Sequence, residues 1–549
     1  MTKDISRRGL QILLLAVILI WFGNLEYRKL IRPDEGRYAE IPREMVVSGD
    51  WTTPRLNDLK YFEKPPLQYW ATAVAYEVFG EHQWTSRFWT ALTGFAGILL
   101  AWFAGTRLFG REAGIYAAVL LGSSMLYAMM GHINTLDMGV TFFISLGIFA
   151  LLLGQVEEQP SKRRNWMLLA WVGLALAVLS KGLMGLVLPG TALFLYSLIN
   201  RDITIWKRMY WIGGLLLFFL IATPWFVLVI KANPEFFDRF FIYEHYTRFT
   251  TKQLGRYQPW YYFVPILLLG MLPWTGLMFD AVLRTWRGSV QKVKSFNPER
   301  FLLVWVVFVY IFFSISDSKL PSYLLPMFPS LALLMGKQLA EMKSRRLIWL
   351  TAPSLVVVGI LLCTIPFAAK MSADTPLQHQ MYSAYAIWLL VAAAIWFVGG
   401  CTALWLLRRE NKMIAVVVLA FSSLIAAQVA TSGYNTIARE RSSYILADTI
   451  RPLIKPGVPF YSVYCYEQTL PFYLKHTFTL VDFQDEMDFG IRQEPQRWIP
   501  TVEQLAKRWH DDPQAYAIVP TPMLHNLQEQ GMAMKEIYRD EQYVVVSKP

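Results

Sequence analysis

The chain has 549 residues, 55% of them hydrophobic and 15% aromatic, with a mean hydropathy of +0.33, which excludes an ordinary soluble enzyme and makes a polytopic membrane protein the first reading. A formal charge of +12 would suggest nucleic acid in a soluble protein, but in a membrane chain Lys and Arg first report which loops stay in the cytoplasm, so no nucleic-acid partner is expected. Of three cysteines, Cys363 and Cys401 fall inside apolar runs, which leaves no intramolecular disulfide framework.

Apolar windows of about 20 residues predict about thirteen spans, beginning near Leu10, Trp84, Ala113, Met138, Trp166, Gly182, Tyr210, Trp260, Phe301, Leu320, Leu347, Ala384 and Met413. The first is retained rather than cleaved, because no small-residue cleavage site follows it and the chain runs on into Glu26, Tyr27, Arg28 and Lys29. With a cytoplasmic amino terminus, the inner turns carry Arg7 and Arg8, Arg107 and Arg111, Lys162 to Arg164, Arg201 with Lys207 and Arg208, and so on to Arg408, Arg409 and Lys412. The opposite short loops hold only isolated Lys181, Lys319 and Lys370, so the positive-inside bias sets the orientation. An odd number of spans then places the carboxyl terminus outside, with the long loops 26–83 and 231–259.

The first outer loop contains Arg32-Pro33-Asp34-Glu35-Gly36-Arg37-Tyr38-Ala39-Glu40, in which Pro33 disfavours helix at Arg32 and Gly36 is expected to let the chain turn. Its second half, Tyr61-Phe62-Glu63-Lys64-Pro65-Pro66, again sets an acid and a base beside aromatic residues at the entry to an apolar stretch. Charges at a membrane edge are costly and are usually kept for a site or a pairing partner. Between and after these motifs, Ile41 to Val47 and Leu67 to Val78 read as helices lying in the interface.

Further outer polar residues, Arg87, His132, Asn134, Asp137, Lys181, Asp317 and Lys319, stand where short loops meet spans. Singly each reads as a cap or a snorkelling side chain; together they suggest a ring around a shared anionic ligand. The later long loop adds Glu244, His245, Tyr246, Arg248, Lys252 and Arg256. His245 with Glu63 is the one pair offered for a divalent metal such as zinc, although the spacing lacks a closed ligand pattern and an ordinary hydrogen-bonded histidine is the simpler reading. No phosphate loop, dinucleotide glycine fingerprint or nucleophile elbow occurs, which argues against a nucleotide-driven pump and a serine hydrolase.

From about Tyr434 the composition becomes that of a small α/β domain, so the chain divides into a membrane domain, 1–433, and an outer domain, 434–549. Strands are predicted at Pro459 to Tyr466, Thr477 to Phe483, Tyr516 to Val519 and Tyr543 to Val546, with helices at Ile437 to Ile454 and Val502 to Trp509. This domain carries no catalytic motif and is expected to cap the outer surface.

The motifs 32–41, Arg43-Glu44-Met45, Ser48-Gly49-Asp50-Trp51, 61–65, Leu136-Asp137, Lys181-Gly182 and Lys319-Leu320-Pro321-Ser322-Tyr323 resemble those of bacterial membrane glycosyltransferases related to protein O-mannosyltransferases. Within that group they look most like the transferases that add 4-amino-4-deoxy-L-arabinose to lipid A. The resemblance implies a GT-C fold, an undecaprenyl phosphate sugar donor, a lipid A phosphate acceptor, a bacterial inner-membrane location and a contribution to resistance against cationic peptides such as polymyxin.

In such a transfer the leaving lipid phosphate needs cations placed beforehand, for which Arg37, Lys64, Lys181, Arg248 and Lys319 are the candidates, with Tyr323 as a hydroxyl donor. Asp34, Glu63 and Asp137 are the catalytic candidates; their part depends on the acceptor, since a hydroxyl must lose a proton and a phosphate is already ionised. A protein O-glycosyltransferase is the alternative enzyme. A transporter would place ionisable groups at the membrane midplane, whereas these gather at one edge. A monomer among membrane lipids is expected.

Overall fold

The computed structural model describes residues 7–247, 258–289 and 296–549. It is mainly helical, and its residues group into two compact units that interleave along the chain. One comprises 1–27, 64–68 and 87–434; the other comprises 28–63, 69–86 and 435–549.

In the first unit, each expected span coincides with helical chain, from Arg7–Phe22 and Gln83–Phe109 through Asp137–Val156, Pro160–Lys181, Met184–Asn200, Trp211–Ala232 and Pro298–Ile315 to Ser344–Met371, Pro376–Arg408 and Lys412–Gly433. Among the described residues seven helices are long and apolar enough to cross a membrane, or eight if one bent pair counts as a span, which makes this a multi-pass membrane protein. Without a hydrophobic drive between helices in lipid, close backbone approach takes over, and small residues supply it. A Cβ on Gly173 would stand 2.6 Å from the Gly147 nitrogen, so the helices Asp137–Val156 and Pro160–Lys181 meet glycine on glycine.

Two of the expected spans are broken. The one near Ala113 divides into Arg111–Ser123 and Met125–Met130, and the one near Trp260 into Phe263–Gly270 and Thr275–Ser289, bent by 107°. The breaks satisfy each other: Met125 N donates to Leu272 O at 3.2 Å, Trp274 Nε1 donates to Ser123 Oγ at 2.9 Å, and Ser423 Oγ donates to Ser123 O at 2.9 Å. Backbone groups freed inside an apolar bundle must find such partners, so neither break could stand alone. The span expected at Leu320 opens with a 3₁₀ turn, Pro321–Met327, before the helix Phe328–Glu341.

The second unit is built on a six-stranded sheet ordered β5-β4-β3-β6-β8-β7. Its strands are β3 (Phe460–Val463), β4 (Thr479–Val481), β5 (Trp498–Ile499), β6 (Tyr516–Pro520), β7 (Lys535–Arg539) and β8 (Tyr543–Ser547). Strands β3 to β6 run parallel, and β8 and β7 add antiparallel. Alternation sends Val463, Ala517, Val519, Val544 and Val546 to one face, against Leu505 and Trp509, and sends Phe460, Ile518 and Val545 to the other.

That second face is covered in part by Leu30, Ala39 and Tyr76, all from the amino-terminal loop. The units divide at Tyr434, but the residues after it group with 28–63 and 69–86, because the sheet's apolar face has side chains of those segments for a cover. The loop contributes the helix Asp34–Ser48, the hairpin of β1 (Arg55–Leu56) and β2 (Leu59–Lys60), and the helix Leu67–Phe79. Asn57 and Asp58, at φ 55° and 60°, make the two-residue turn, and their backbone N–H groups donate to the Glu44 carboxylate at 2.6 and 2.8 Å. The single helix expected over Ile437 to Ile454 is interrupted at Ser442, where Ser443 N donates to Thr469 Oγ1 at 2.9 Å in place of a helical partner.

Candidate active site

The helix Asp34–Ser48 starts immediately after Pro33 with two acids in its first turn, where the helix dipole favours them. The two acids have different fates. Glu35 is fully buried; Arg28 donates to both its oxygens at 2.8 and 3.0 Å, and Ile31 N donates at 3.1 Å. Asp34 keeps 37% of its side chain exposed and stands 3.6 Å from Arg37 Nη1. Asp34 is thus the acid of this turn that a substrate can reach.

Gly36 does not turn the chain. It lies within the helix, and a Cβ there would sit 2.5 Å from the Gln468 carbonyl oxygen, so its role is close approach between the helix and residues 467–470 of the same unit.

Arg37 is the centre of a mixed polar and aromatic cluster. Its Nη2 lies 2.5 Å from Glu486 Oε2, and its guanidinium stands 6.0 and 5.8 Å from the ring centres of Tyr38 and Tyr61. Burial works against its charge, but Tyr61, Glu486, Tyr38 and Glu63 outweigh that and hold the guanidinium well above its ordinary range. Burial likewise pushes the hydroxyls of Tyr38, Tyr61 and Tyr69 up, with Glu63 adding to the shift in each, so these phenols stay neutral donors at physiological pH. The Arg37 Nε and the hydroxyls of Tyr61 and Tyr69 have no hydrogen-bond partner among the described residues. Buried donors left in that state are costly, about 1 to 3 kcal/mol each, and a polar ligand in reach would relieve them.

The structure thus places Asp34, Arg37 and Glu63 near one another, with Tyr38, Tyr61, Tyr69 and Glu486 beside them. Sequence reasoning missed Glu486 because its acidic turn in the carboxyl-terminal segment has no motif and is tied to Arg37 only by the fold.

In the first unit, Asp137 opens the helix Asp137–Val156 and Lys181 closes the helix Pro160–Lys181, where Gly182 at φ 83° ends it. The two side chains form an ion pair, and Lys181 Nζ stands 5.0 Å from the Tyr323 ring centre. Lys64 Nζ lies 3.7 Å from Glu244 Oε2, and Arg239 Nη2 lies 3.4 Å from Glu244 Oε1, so one buried carboxylate holds two cations. Lys319 is only 4% exposed, and its ammonium donates to the carbonyls of Gln258 and Ser316 at 2.8 and 2.5 Å. That is the geometry of a clamp on the 316–319 turn rather than a cation offered to a ligand.

The ring expected from the outer polar residues is narrower than its sequence list. Arg87 is buried and donates to the Leu25 carbonyl at 2.8 Å, the ring nitrogens of His132 lie 2.6 and 2.7 Å from the Ala128 and Trp21 carbonyl oxygens, and Asn134 accepts from Gln68 at 2.8 Å. These three tie helices together. Arg248, Lys252 and Arg256 lie outside the described residues, as does the side chain of His245. Among the described residues no group of three or more His, Cys, Asp or Glu side chains could hold a metal ion; the pair Glu63 with His245 lies partly outside them, and no step is routed through a metal.

A multi-pass helical core, a mixed α/β unit and cations paired to acids fit the GT-C membrane glycosyltransferase that the resemblance implies. Two family models match, dolichyl-phosphate-mannose-protein mannosyltransferase over residues 63–227 and aminoarabinose transferase C-terminal domain over residues 446–548. An undecaprenyl phosphate-alpha-4-amino-4-deoxy-L-arabinose arabinosyl transferase of Edwardsiella ictaluri is 30% identical over 423 residues, 74% of each chain. The crystal structure of ArnT from Cupriavidus metallidurans bound to undecaprenyl phosphate superposes with a TM-score of 0.94 at 35% identity, covering 99% of both chains. An archaeal oligosaccharyltransferase from Archaeoglobus fulgidus, at 12% identity and a TM-score of 0.52, covers 97% of this chain and 73% of its own and shares the fold. The chain belongs to the aminoarabinose transferase family.

Proposed function

We propose that the protein transfers 4-amino-4-deoxy-L-arabinose from undecaprenyl phosphate to a phosphate of lipid A at the periplasmic face of a bacterial inner membrane. The observation that carries this reading is the likeness, over nearly the whole length of both chains, to an arabinosyl transferase structure bound to undecaprenyl phosphate. The thirteen-span topology, with basic residues at the inner turns, supports placing both long loops and residues 434–549 outside.

The reaction breaks the bond between the sugar and the carrier phosphate, and the charge left on that phosphate is what the protein must stabilise. Lys64 and Lys181 are point charges on flexible stems, each held in place by a carboxylate, Glu244 or Asp137. Arg248 and Lys319 complete the proposed set, Lys319 by fixing its turn, and the hydroxyl of Tyr323, beside Lys181, would donate to the same oxygens. Arg37 with its phenols suits the sugar, since neutral Tyr hydroxyls donate and accept. The acceptor phosphate arrives ionised, so it needs no base; the part proposed for Asp34 and Glu63 is then to hold an ammonium on the sugar, with Glu486 fixing Arg37.

Mass spectrometry of lipid A from cells with and without the gene tests the reading. The expected result is an added mass of one aminoarabinose that disappears with the gene; unchanged lipid A under inducing conditions would overturn it and move the acceptor to a polypeptide hydroxyl.

A further inference from the structure

Lys64 and Lys181 are both assigned to the carrier phosphate, and one buried hydrogen bond joins the stretches of chain that hold them. Lys64 opens the stretch Lys64–Gln68, which groups with the membrane unit although the segments on either side of it group with the α/β unit. Pro65 and Pro66 fix their own φ, and Pro65 restricts Lys64 as well, so the link from Lys64 to Gln68 has few soft torsions. Gln68 and Asn134 are both buried, and Gln68 Nε2 donates to Asn134 Oδ1 at 2.8 Å.

Asn134 lies in the connector between the helices Met125–Met130 and Asp137–Val156, just before Asp137, the acid that holds Lys181. This connector is anchored elsewhere too: Thr90 Oγ1 donates to Thr135 O at 3.4 Å, and the His132 ring meets the Ala128 and Trp21 carbonyls. Gln68 also reaches the first turn of the helix that Asp137 opens, where a Cβ on Gly139 would stand 4.0 Å from Gln68 Oε1 and 3.4 Å from Trp89 Nε1. Gln68 Oε1 takes no hydrogen bond among the described residues, so the bond to Asn134 is the polar contact that offsets burial of this amide.

A lysine is a point charge on a flexible stem, and two of them can share one phosphate only if the backbones they hang from keep a set spacing. We propose that Gln68 and Asn134 form a positioning latch, which holds the Lys64 side of the phosphate site in register with the Asp137 and Lys181 side. The latch acts through the lysines rather than by contact with the phosphate, and it rests on the role proposed for them.

Binding of undecaprenyl phosphate to full-length enzyme in detergent, titrated by native mass spectrometry, tests the latch. Gln68→Leu keeps the size and loses the hydrogen bond, and Gln68→Asn draws the amide back by one methylene. Each is expected to weaken binding about tenfold, the scale of a misplaced binding group. Adding Asn134→Gln to Gln68→Asn returns the methylene from the other side and is expected to restore affinity to within about twofold of wild type. A bond that only braced the fold would lower the melting temperature and leave the affinity of the folded enzyme as it was. That result, a swap that fails to restore binding, or a wild type that does not bind overturns the latch. If Gln68→Leu does not fold, Gln68→Asn with and without the swap decides the matter. Binding that follows the expected pattern while lipid A goes unmodified in cells leaves the latch standing and removes the transfer reading instead.

Discussion

A carboxylate that is buried with both oxygens engaged cannot also act on a substrate, and this sorts the acids of the first loop. Glu35, bidentate to Arg28, and Glu40, bidentate to Arg43, hold the fold together. Removing one partner of such a buried pair costs about 3 to 5 kcal/mol because the other charge is stranded, whereas an exposed pair such as Arg539 with Glu536 is screened by solvent and contributes little. Glu35→Gln should therefore lower the yield of folded enzyme, while Asp34→Ala should leave yield intact and reduce kcat about 100-fold, the scale of losing one preorganised electrostatic contact. Transfer assays on membrane-inserted enzyme at matched protein level separate the two, and a normal rate for Asp34→Ala would sink the role given to Asp34. Asp34, Arg37 and Glu63 were legible in the sequence because charge crowded at a membrane edge is expensive. Glu486 was illegible because only the sheet's packing brings it to Arg37.

At the level of elements, the apolar windows located the helices, since a span's length and hydropathy are properties of its own residues. The interruptions at Ser124 and Pro273 were not legible, because the exchange between Met125 N and Leu272 O that makes them tolerable is tertiary. Strand β7 escaped notice for a related reason: an edge strand with polar residues lacks the apolar alternation that marks β8. His476, beside the rings of Phe460 and Phe478, has a measurable consequence. Burial lowers its pKa below the ordinary 6.5, so below about that pH the unfolded chain takes up a proton that the folded chain resists. Stability is lost as pH falls through this range, and His476→Phe removes the contribution. Melting temperatures from pH 5 to 8 should fall more steeply on the acid side for wild type than for the variant; parallel curves would rule this out.

Across the whole molecule, the site's residues are far apart in the chain: Asp34 and Arg37 precede all but the first membrane span, and Glu486 follows all of them. Ending the chain at Tyr434 removes the sheet that Leu30, Ala39 and Tyr76 cover. Such a truncation should still insert but lose activity, and added protease should cut within 28–63, where the full chain resists. Proteolysis mapped by mass spectrometry checks this, and equal protection in both forms would show that the loop folds by itself. The interleaving also sets a schedule for biosynthesis. At about 5 to 20 residues per second, the ribosome completes residue 63 some 20 to 80 seconds before it reaches the sheet that must receive the loop. With the proposed orientation, the nascent loop waits through that interval outside the membrane with its apolar side chains uncovered, where export-side chaperones and proteases would meet this protein at its most vulnerable point.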